Sequence, residues 1–327
     1  MAIVRLVQLA LLTTFVSSTA YAQAPQTPAA ADPPGATAHF AKARQIAGED
    51  PYLIKWIETG ALCKAPPVHK RMMEGARAPG AVTPRAPVQL FDNFYMVGNS
   101  YVVSLILKTS AGLVMWDTMN NAGDARNLIE AGMDKLGLDP ADIKYIILTH
   151  GHGDHYGGAK YLQDKYRMPI AATEEDWSLM ANSPMRGFDP PPPRDRVLTD
   201  GQDLVIGDAT IHIVKTPGHT PGVASSVFPV KDKGVTRNLI MWGGTSYHDT
   251  VAQHNSLHKL WDAGKKRKAV GMMNTHAYVN LIDDKIEQMK TAATNPLVLG
   301  EDGLDRLLAI QDECSLAQLT WPAPEKR

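Results

Sequence analysis

Two cysteines in 327 residues are too few for a disulfide scaffold or a cysteine-built metal knot. Cys63 and Cys314 stand near opposite ends of the chain. Either they pair, tying an N-terminal extension to a C-terminal helix, or they stay as two buried thiols. Neither lies near the histidines discussed below, so neither is assigned to metal. An excess of either charge is also lacking. The 33 Lys+Arg and 34 Asp+Glu leave a formal charge of -1, which excludes a bulk pull toward nucleic acid or anionic lipid and points to a small-molecule substrate. The basic run Lys265-Lys266-Arg267-Lys268 reads as a solvated helix end. Long hydrophobic runs are absent after residue 16. Residues 6–16, with Arg5 before them and Ala20-Tyr21-Ala22 after, read as a secretory signal peptide over residues 1–22, cleaved before Gln23. The run is too short to span a bilayer as a mature helix, and no Cys stands near the cleavage site to carry a lipid. The expectation is a secreted or periplasmic protein with no stable membrane span.

A hydrophobic fraction of 44% over a mature chain of about 300 residues suffices for one large domain with an extension. Residues 23–38, rich in Pro and Ala, are expected to be unstructured. Residues 39–62 have a helical pattern, and 65–87 form a proline-punctuated tether. Residues 23–87 are thus a partly disordered extension, and the main domain starts near Val88 and runs to 327. Strands are expected at 94–97, 101–107, 113–116, 143–148 and 170–172, and again at 203–206, 210–214, 223–230, 238–242 and 269–274. Helical spacing marks 122–136, 156–166, 174–180, 253–263, 283–293 and 303–317. Residues 183–196, with Pro190 to Pro193, form a stiff loop. Strands with interspersed helices, then the same again, predict an α/β protein of two sheets packed face to face with helices outside.

Chemistry concentrates in Thr149-His150-Gly151-His152-Gly153-Asp154-His155, where four metal-ligand side chains fall within six positions directly after an apolar strand. Four such ligands cannot all meet one ion. On a turn leaving a strand, alternate residues point the same way, so His150 and His152 converge on one ion while Asp154 and His155 face another. Further ligands must come from elsewhere. His219, in Thr216-Pro217-Gly218-His219-Thr220-Pro221-Gly222, and His276, in Asn274-Thr275-His276-Ala277, each follow a predicted strand. Gly and Pro around His219 fix a tight turn that presents the imidazole.

These motifs, in this order, resemble the metallo-β-lactamase superfamily over roughly residues 88–293. The resemblance implies an αβ/βα four-layer sandwich with two zinc ions per chain at one edge. By that resemblance His150, His152 and His219 hold the first zinc, and Asp154, His155 and His276 hold the second. Asp117, after the strand at 113–116, matches an early Asp that supports the site from behind. Where relatives place a bridging Asp or the Cys of a Gly-Gly-Cys sequence, this chain has Gly243-Gly244-Thr245. Thr245 is a poor zinc ligand, so five His and one Asp make up the set, as in the Cys-free β-lactamase subclass. Those enzymes follow the last histidine with Pro-Gly-Ala-Ser, whereas here Ala277-Tyr278-Val279-Asn280 follows His276.

The implied reaction is metal-assisted hydrolysis. Two divalent ions lower the pKa of a shared water and hold hydroxide, Asp154 orients it, and the carbonyl oxygen gains charge beside the metal. The implied substrate is a cyclic amide, most specifically a β-lactam. A lactonase or esterase is the nearest rival, and a single-iron sulfur dioxygenase or a non-catalytic zinc module stands further off. Tyr247, His248, Tyr278 and Asn280 are the candidates to face substrate. His212 reads as a plain sheet residue. His254 and His258 have the i,i+4 spacing of a helical metal pair but no evident carboxylate partner.

Overall fold

Most strands of this chain are apolar on both faces, and such strands need cover on both sides. The architecture of the computed structural model supplies it. The structure describes residues 32–59, 63, 75, 81–244 and 250–321. The expected signal peptide and most of the tether lie outside the described residues.

The first sheet runs β1 (Val88–Phe91), β2 (Phe94–Gly98), β3 (Val103–Thr109), β4 (Gly112–Trp116), β5 (Ile143–Ile147), β6 (Ile170–Thr173) and β7 (Arg196–Leu198), paired in that order. β1 to β4 form an antiparallel meander, and β4 to β7 are parallel. Parallel neighbours need crossovers. These are α3, continuous through Ala122–Asp124, a π-helical Ala125–Glu130 and Ala131–Lys135, then α4 (Gly153–Tyr156) with α5 (Ala159–Tyr166), then α6 (Glu174–Asn182). Val97, Ile106, Met115, Ile129, Met133, Leu162 and Trp177 bury the outer face of the sheet under them.

In the second sheet β8 (Asp203–Ile206), β9 (Ala209–Lys215), β10 (Ala224–Asp232) and β11 (Val235–Met241) are antiparallel, and β12 (Ala269–Met273) joins β11 in parallel across helix α7 (Thr250–Lys266). Its outer face packs on α7, on α1 (Pro34–Ala47) and α2 (Pro51–Thr59), and on α9 (Gly300–Leu319), which follows α8 (Ile282–Met289). Between the sheets Trp116 meets Phe94 edge-on at 6.2 Å between ring centroids and Phe228 at 4.7 Å. The expected αβ/βα sandwich is therefore the observed fold.

Several local expectations differ. The helix expected over 39–62 breaks at Gly48, whose φ of 55° ends α1, and restarts at Pro51. Pro34 to Ala38, assigned to the unstructured N-terminal stretch, instead open α1, where a proline at the first position costs no hydrogen bond. The helix expected over 156–166 splits at Gly157-Gly158, because this pair lies against the backbone of residues 118–121; a Cβ at Gly157 would collide with the Asn120 carbonyl. β7 lies at the end of the segment read as loop. Its pattern is too short to announce itself and its pairing comes from β6. Among the described residues no helix is long and apolar enough to cross a membrane.

The extension is part of the body. Trp56 is 1% exposed and donates from Nε1 to the Val279 carbonyl at 2.9 Å. Cys63 and Cys314 are disulfide-bonded with Cα atoms 4.8 Å apart, across 251 positions of sequence. Joining such distant positions removes much freedom from the unfolded chain. Reduction should lower the unfolding free energy by about 2–5 kcal/mol, read as a lower urea midpoint. The Cys63→Ser/Cys314→Ser double variant should match the reduced protein, and an unchanged midpoint in either would show that the bond contributes nothing.

Candidate metal centre

β4, β5, β9 and β12 all end at the same edge of the sandwich, and each is followed by one of the residues singled out above: Asp117, His150, His219 and His276. Main-chain bonds close this edge. Val103 N donates to Thr275 O and Ala224 N to Thr149 O, both at 2.8 Å, so the loops of one sheet are tied to the other.

The rings are then fixed from behind. His150 Nδ1 donates to the Gly243 carbonyl at 2.7 Å, His276 Nδ1 to the Tyr101 carbonyl at 3.1 Å, and His155 Nδ1 to Asp117 Oδ2 at 2.6 Å. A carbonyl can only accept, so Nδ1 carries the hydrogen and Nε2 presents a lone pair. Those lone pairs converge. His150 Nε2 stands 3.1 Å from His219 Nε2, and His155 Nε2 stands 3.1 Å from His276 Nε2. The Asp154 carboxylate lies 3.8 Å from the His155 nitrogen and 3.7 Å from that of His276. His152 packs edge-on to both His150 and His219, with centroids 4.8 and 4.7 Å apart. Two adjoining donor groups result, His150/His152/His219 and Asp154/His155/His276, the ligand atoms of each lying within 4.8 Å of one another. Two ligands on a tetrahedral zinc stand about 3.3 Å apart, given Zn–N bonds of about 2.0–2.1 Å. The donor set and its spacing therefore fit a pair of zinc-type cations.

Electrostatics agree with that fit. Burial, and after it the neighbouring imidazoles of His155, His219, His152 and His276, hold His150 well below the usual imidazole range, which keeps it neutral and able to ligate. Asp117 has no exposure and a φ of 60°, a left-handed conformation uncommon outside glycine. Three hydrogen bonds hold it there: from Thr149 N at 2.7 Å, from Thr149 Oγ at 2.7 Å and from His155.

Of the residues expected to face substrate, Thr245's neighbours Tyr247 and His248 lie outside the described residues, as does Thr245 itself. Tyr278 is partly exposed, with its ring 5.5 Å from that of His276. Asn280 is only 2% exposed, buried in the turn that Trp56 supports. His212 is a sheet residue of β9 paired with Asp203 at 2.6 Å. For His254 and His258 the expectation of no carboxylate partner is corrected, since Asp312 of α9 reaches both.

Sequence reasoning missed Asp176. In α6 it reads as one of three acids in a first helical turn, favoured by the helix dipole. Folded, it is 1% exposed and accepts from Gly151 N at 2.9 Å, Thr220 Oγ at 2.8 Å and Gly222 N at 3.0 Å. One carboxylate thus ties the loop of His150 and His152 to the loop of His219. No periodicity or spacing signals a bond across 44 positions of sequence.

A sequence profile described as the Metallo-beta-lactamase superfamily matches residues 96–232. Over those residues the chain carries a metallo-β-lactamase superfamily domain. The match takes in Asp117, the His150–His155 cluster and His219 but ends before His276, whose place in the site comes from the fold. Similar curated proteins include a hydroxyacylglutathione hydrolase of Rhodopseudomonas palustris, 34% identical over 108 residues, which are 33% of this chain and 36% of that protein. An N-acyl homoserine lactonase of Agrobacterium fabrum is 32% identical over 118 residues, 33% of this chain and 43% of that protein. The chain thus spans less than half the length of these relatives. Among solved structures, the subclass B3 metallo-β-lactamase BJP-1 of Bradyrhizobium japonicum is similar at 27% identity and a TM-score of 0.58, over 70% of this chain and 91% of that one. FEZ-1 of Legionella gormanii, at 20% identity and a TM-score of 0.62 over 73% and 98%, shares the fold.

The Asp176 tie gives this domain a pH signature. Burial pushes the Asp176 carboxyl up to about 6 against its three donated hydrogen bonds. The folded protein then binds this proton more tightly than the unfolded chain, so its contribution to stability is complete below about pH 4 and is lost as pH rises through about 6. The stability of metal-free protein relative to Asp176→Asn should fall by about 2 kcal/mol between pH 4 and 7. A difference that stays flat in urea titrations across that range would show that Asp176 ionises as an exposed carboxyl does.

Proposed function

We propose that the chain is a metal-dependent hydrolase that opens a cyclic amide, most specifically a β-lactam ring. The observation that carries the reading is the pair of adjoining donor groups, five imidazoles and one carboxylate, with three of the rings oriented by acceptors behind them. In this proposal His150, His152 and His219 hold one zinc ion and Asp154, His155 and His276 hold another. Bound there, the cations would acidify water and stabilise charge on a carbonyl oxygen. Asp154, besides ligating, accepts a hydrogen bond from the attacking water and so fixes the direction of its lone pair. Asp117 keeps His155 in the ligating tautomer. Gly243-Gly244 leads into Thr245 with no Cys or Asp at that point, which supports a set of five His and one Asp. The similarity to BJP-1 extends over 91% of that β-lactamase. Export to the periplasm or medium belongs to the same proposal.

A second reading, hydrolysis of a lactone, is favoured by the 32% identity to the Agrobacterium lactonase. The ring-opening chemistry is the same and the residues keep their roles. Only the leaving atom changes, from nitrogen to oxygen.

Zinc-loaded protein assayed with a chromogenic cephalosporin and an acyl lactone separates the two readings. Turnover of the cephalosporin is the expected result, and turnover of the lactone alone transfers the proposal to lactonase. Asp154→Ala should lower kcat by at least about 100-fold with an unchanged circular dichroism spectrum. A chelator should abolish turnover and added Zn2+ restore it, so activity persisting after exhaustive chelation would sink both readings.

A further inference from the structure

Helix α7 carries two histidines on the face it turns toward α9. His254 and His258 are one turn apart, with ring centroids 4.9 Å apart and edge-on, the arrangement in which two helical imidazoles reach one ion. The carboxylate comes from the other helix. Asp312 Oδ1 lies 3.3 Å from His254 Nδ1 and 2.8 Å from His258 Nε2, close to the separation of about 3.3 Å between ligands of a tetrahedral zinc. The three ligand atoms lie within 4.8 Å of one another.

The atoms around these rings are mostly acceptors. Ser315 Oγ sits 2.7 Å from His254 Nδ1 but donates its own hydrogen to the Asp312 carbonyl at 2.8 Å. His254 Nδ1 therefore faces two acceptors, the serine oxygen and the carboxylate, while His258 Nε2 faces the same carboxylate oxygen. Either both rings put a hydrogen toward one oxygen, or one cation takes all three lone pairs at once. A cation also neutralises the carboxylate, which a pair of neutral rings does not. Side-chain exposures of 19% for His254, 49% for His258 and 21% for Asp312 leave the cluster open on one side, so water can complete a four-coordinate shell. Two imidazoles and one carboxylate select a zinc-type divalent ion over Mg2+ or Ca2+, which prefer all-oxygen shells.

We propose that His254, His258 and Asp312 form a separate site for a zinc-type divalent cation that clamps α7 to α9. The clamp has a mechanical consequence at the candidate centre. On its adjacent face α7 backs the His219 turn, where Ser256 Oγ donates to the Pro217 carbonyl at 2.7 Å. Gly218, at a φ of 141°, lies so close to Gln253 that an added Cβ would stand 2.5 Å from the Gln253 Cβ. Fixing α7 on α9 fixes the surface against which that turn rests. Cys314, disulfide-bonded to Cys63, is two positions from Asp312 on α9, so two cross-links of different chemistry meet on one helix.

The test is zinc content and thermal stability of the full chain, stripped with chelator and dialysed against micromolar Zn2+. His258→Gln and Asp312→Asn should each lose one equivalent of zinc relative to wild type. Both should also lose part of the rise in melting temperature that Zn2+ gives, while affinity for the remaining zinc stays within about twofold. His258 is half exposed and Asp312→Asn is isosteric, so both variants retain the fold. The His150→Gln/His276→Gln variant should keep the equivalent that His258→Gln loses, which separates this site from the candidate centre. Zinc content and zinc-dependent stabilisation equal to wild type in both His258→Gln and Asp312→Asn would overturn the proposal, whatever the centre itself binds.

Discussion

Nitrogen lone pairs that point at one another in a dry site repel unless something positive lies between them, and the strand ends of this domain are built around that constraint. His150, His155 and His276 each spend Nδ1 on an acceptor fixed in the backbone or on a buried carboxylate, so only Nε2 is left to face inward. The acceptors come from three different places: the residue after β11 and Trp242, the loop after β2, and the end of β4. None can shift without turning a ring. Asp117 shows the cost of the arrangement, a non-glycine residue at positive φ retained because three hydrogen bonds require it there.

A second layer of control sits one residue outward. The loops of His150 and His219 belong to different sheets, and without a tie their separation would follow every sliding motion of one sheet on the other. Asp176 removes that freedom by holding Gly151, Thr220 and Gly222 with one carboxylate. Its raised pKa is the electrostatic trace of burying a charge for a positional purpose. Further back, α7 supports the His219 turn through Ser256 and the close approach of Gln253 to Gly218.

How much of this was legible follows from the range over which each signal acts. The cluster from His150 to His155 and the Gly-His turn at His219 are local patterns of residue type, and their place after strands follows from hydrophobic runs that end abruptly. The break at Gly157-Gly158 depends on tertiary crowding, and sequence periodicity averages over it, as it does over the π-helical turn in α3. Asp176 and Asp312 were illegible for a stronger reason. Each sits in a helix where an acid is unremarkable, and each takes its meaning from partners tens of residues away. The carboxylate missing beside His254 and His258 was in the sequence throughout, 54 positions beyond His258.

The outer face of the second sheet is roofed by helices from both ends of the chain, α1 and α2 from the beginning and α9 from the last described stretch. On a ribosome the strands of that sheet exist long before their roof does. Leu257 and Leu260 of α7 cover part of Ile240, Val227 and Val214, and the cover is complete only with Leu304, Leu308 and Ile310. The N-terminal helices pack against that same last helix, and Cys63 has no partner until residue 314 appears. The back of the domain is therefore closed by both ends of the chain at once, and α9 is a wall of the core rather than a tail.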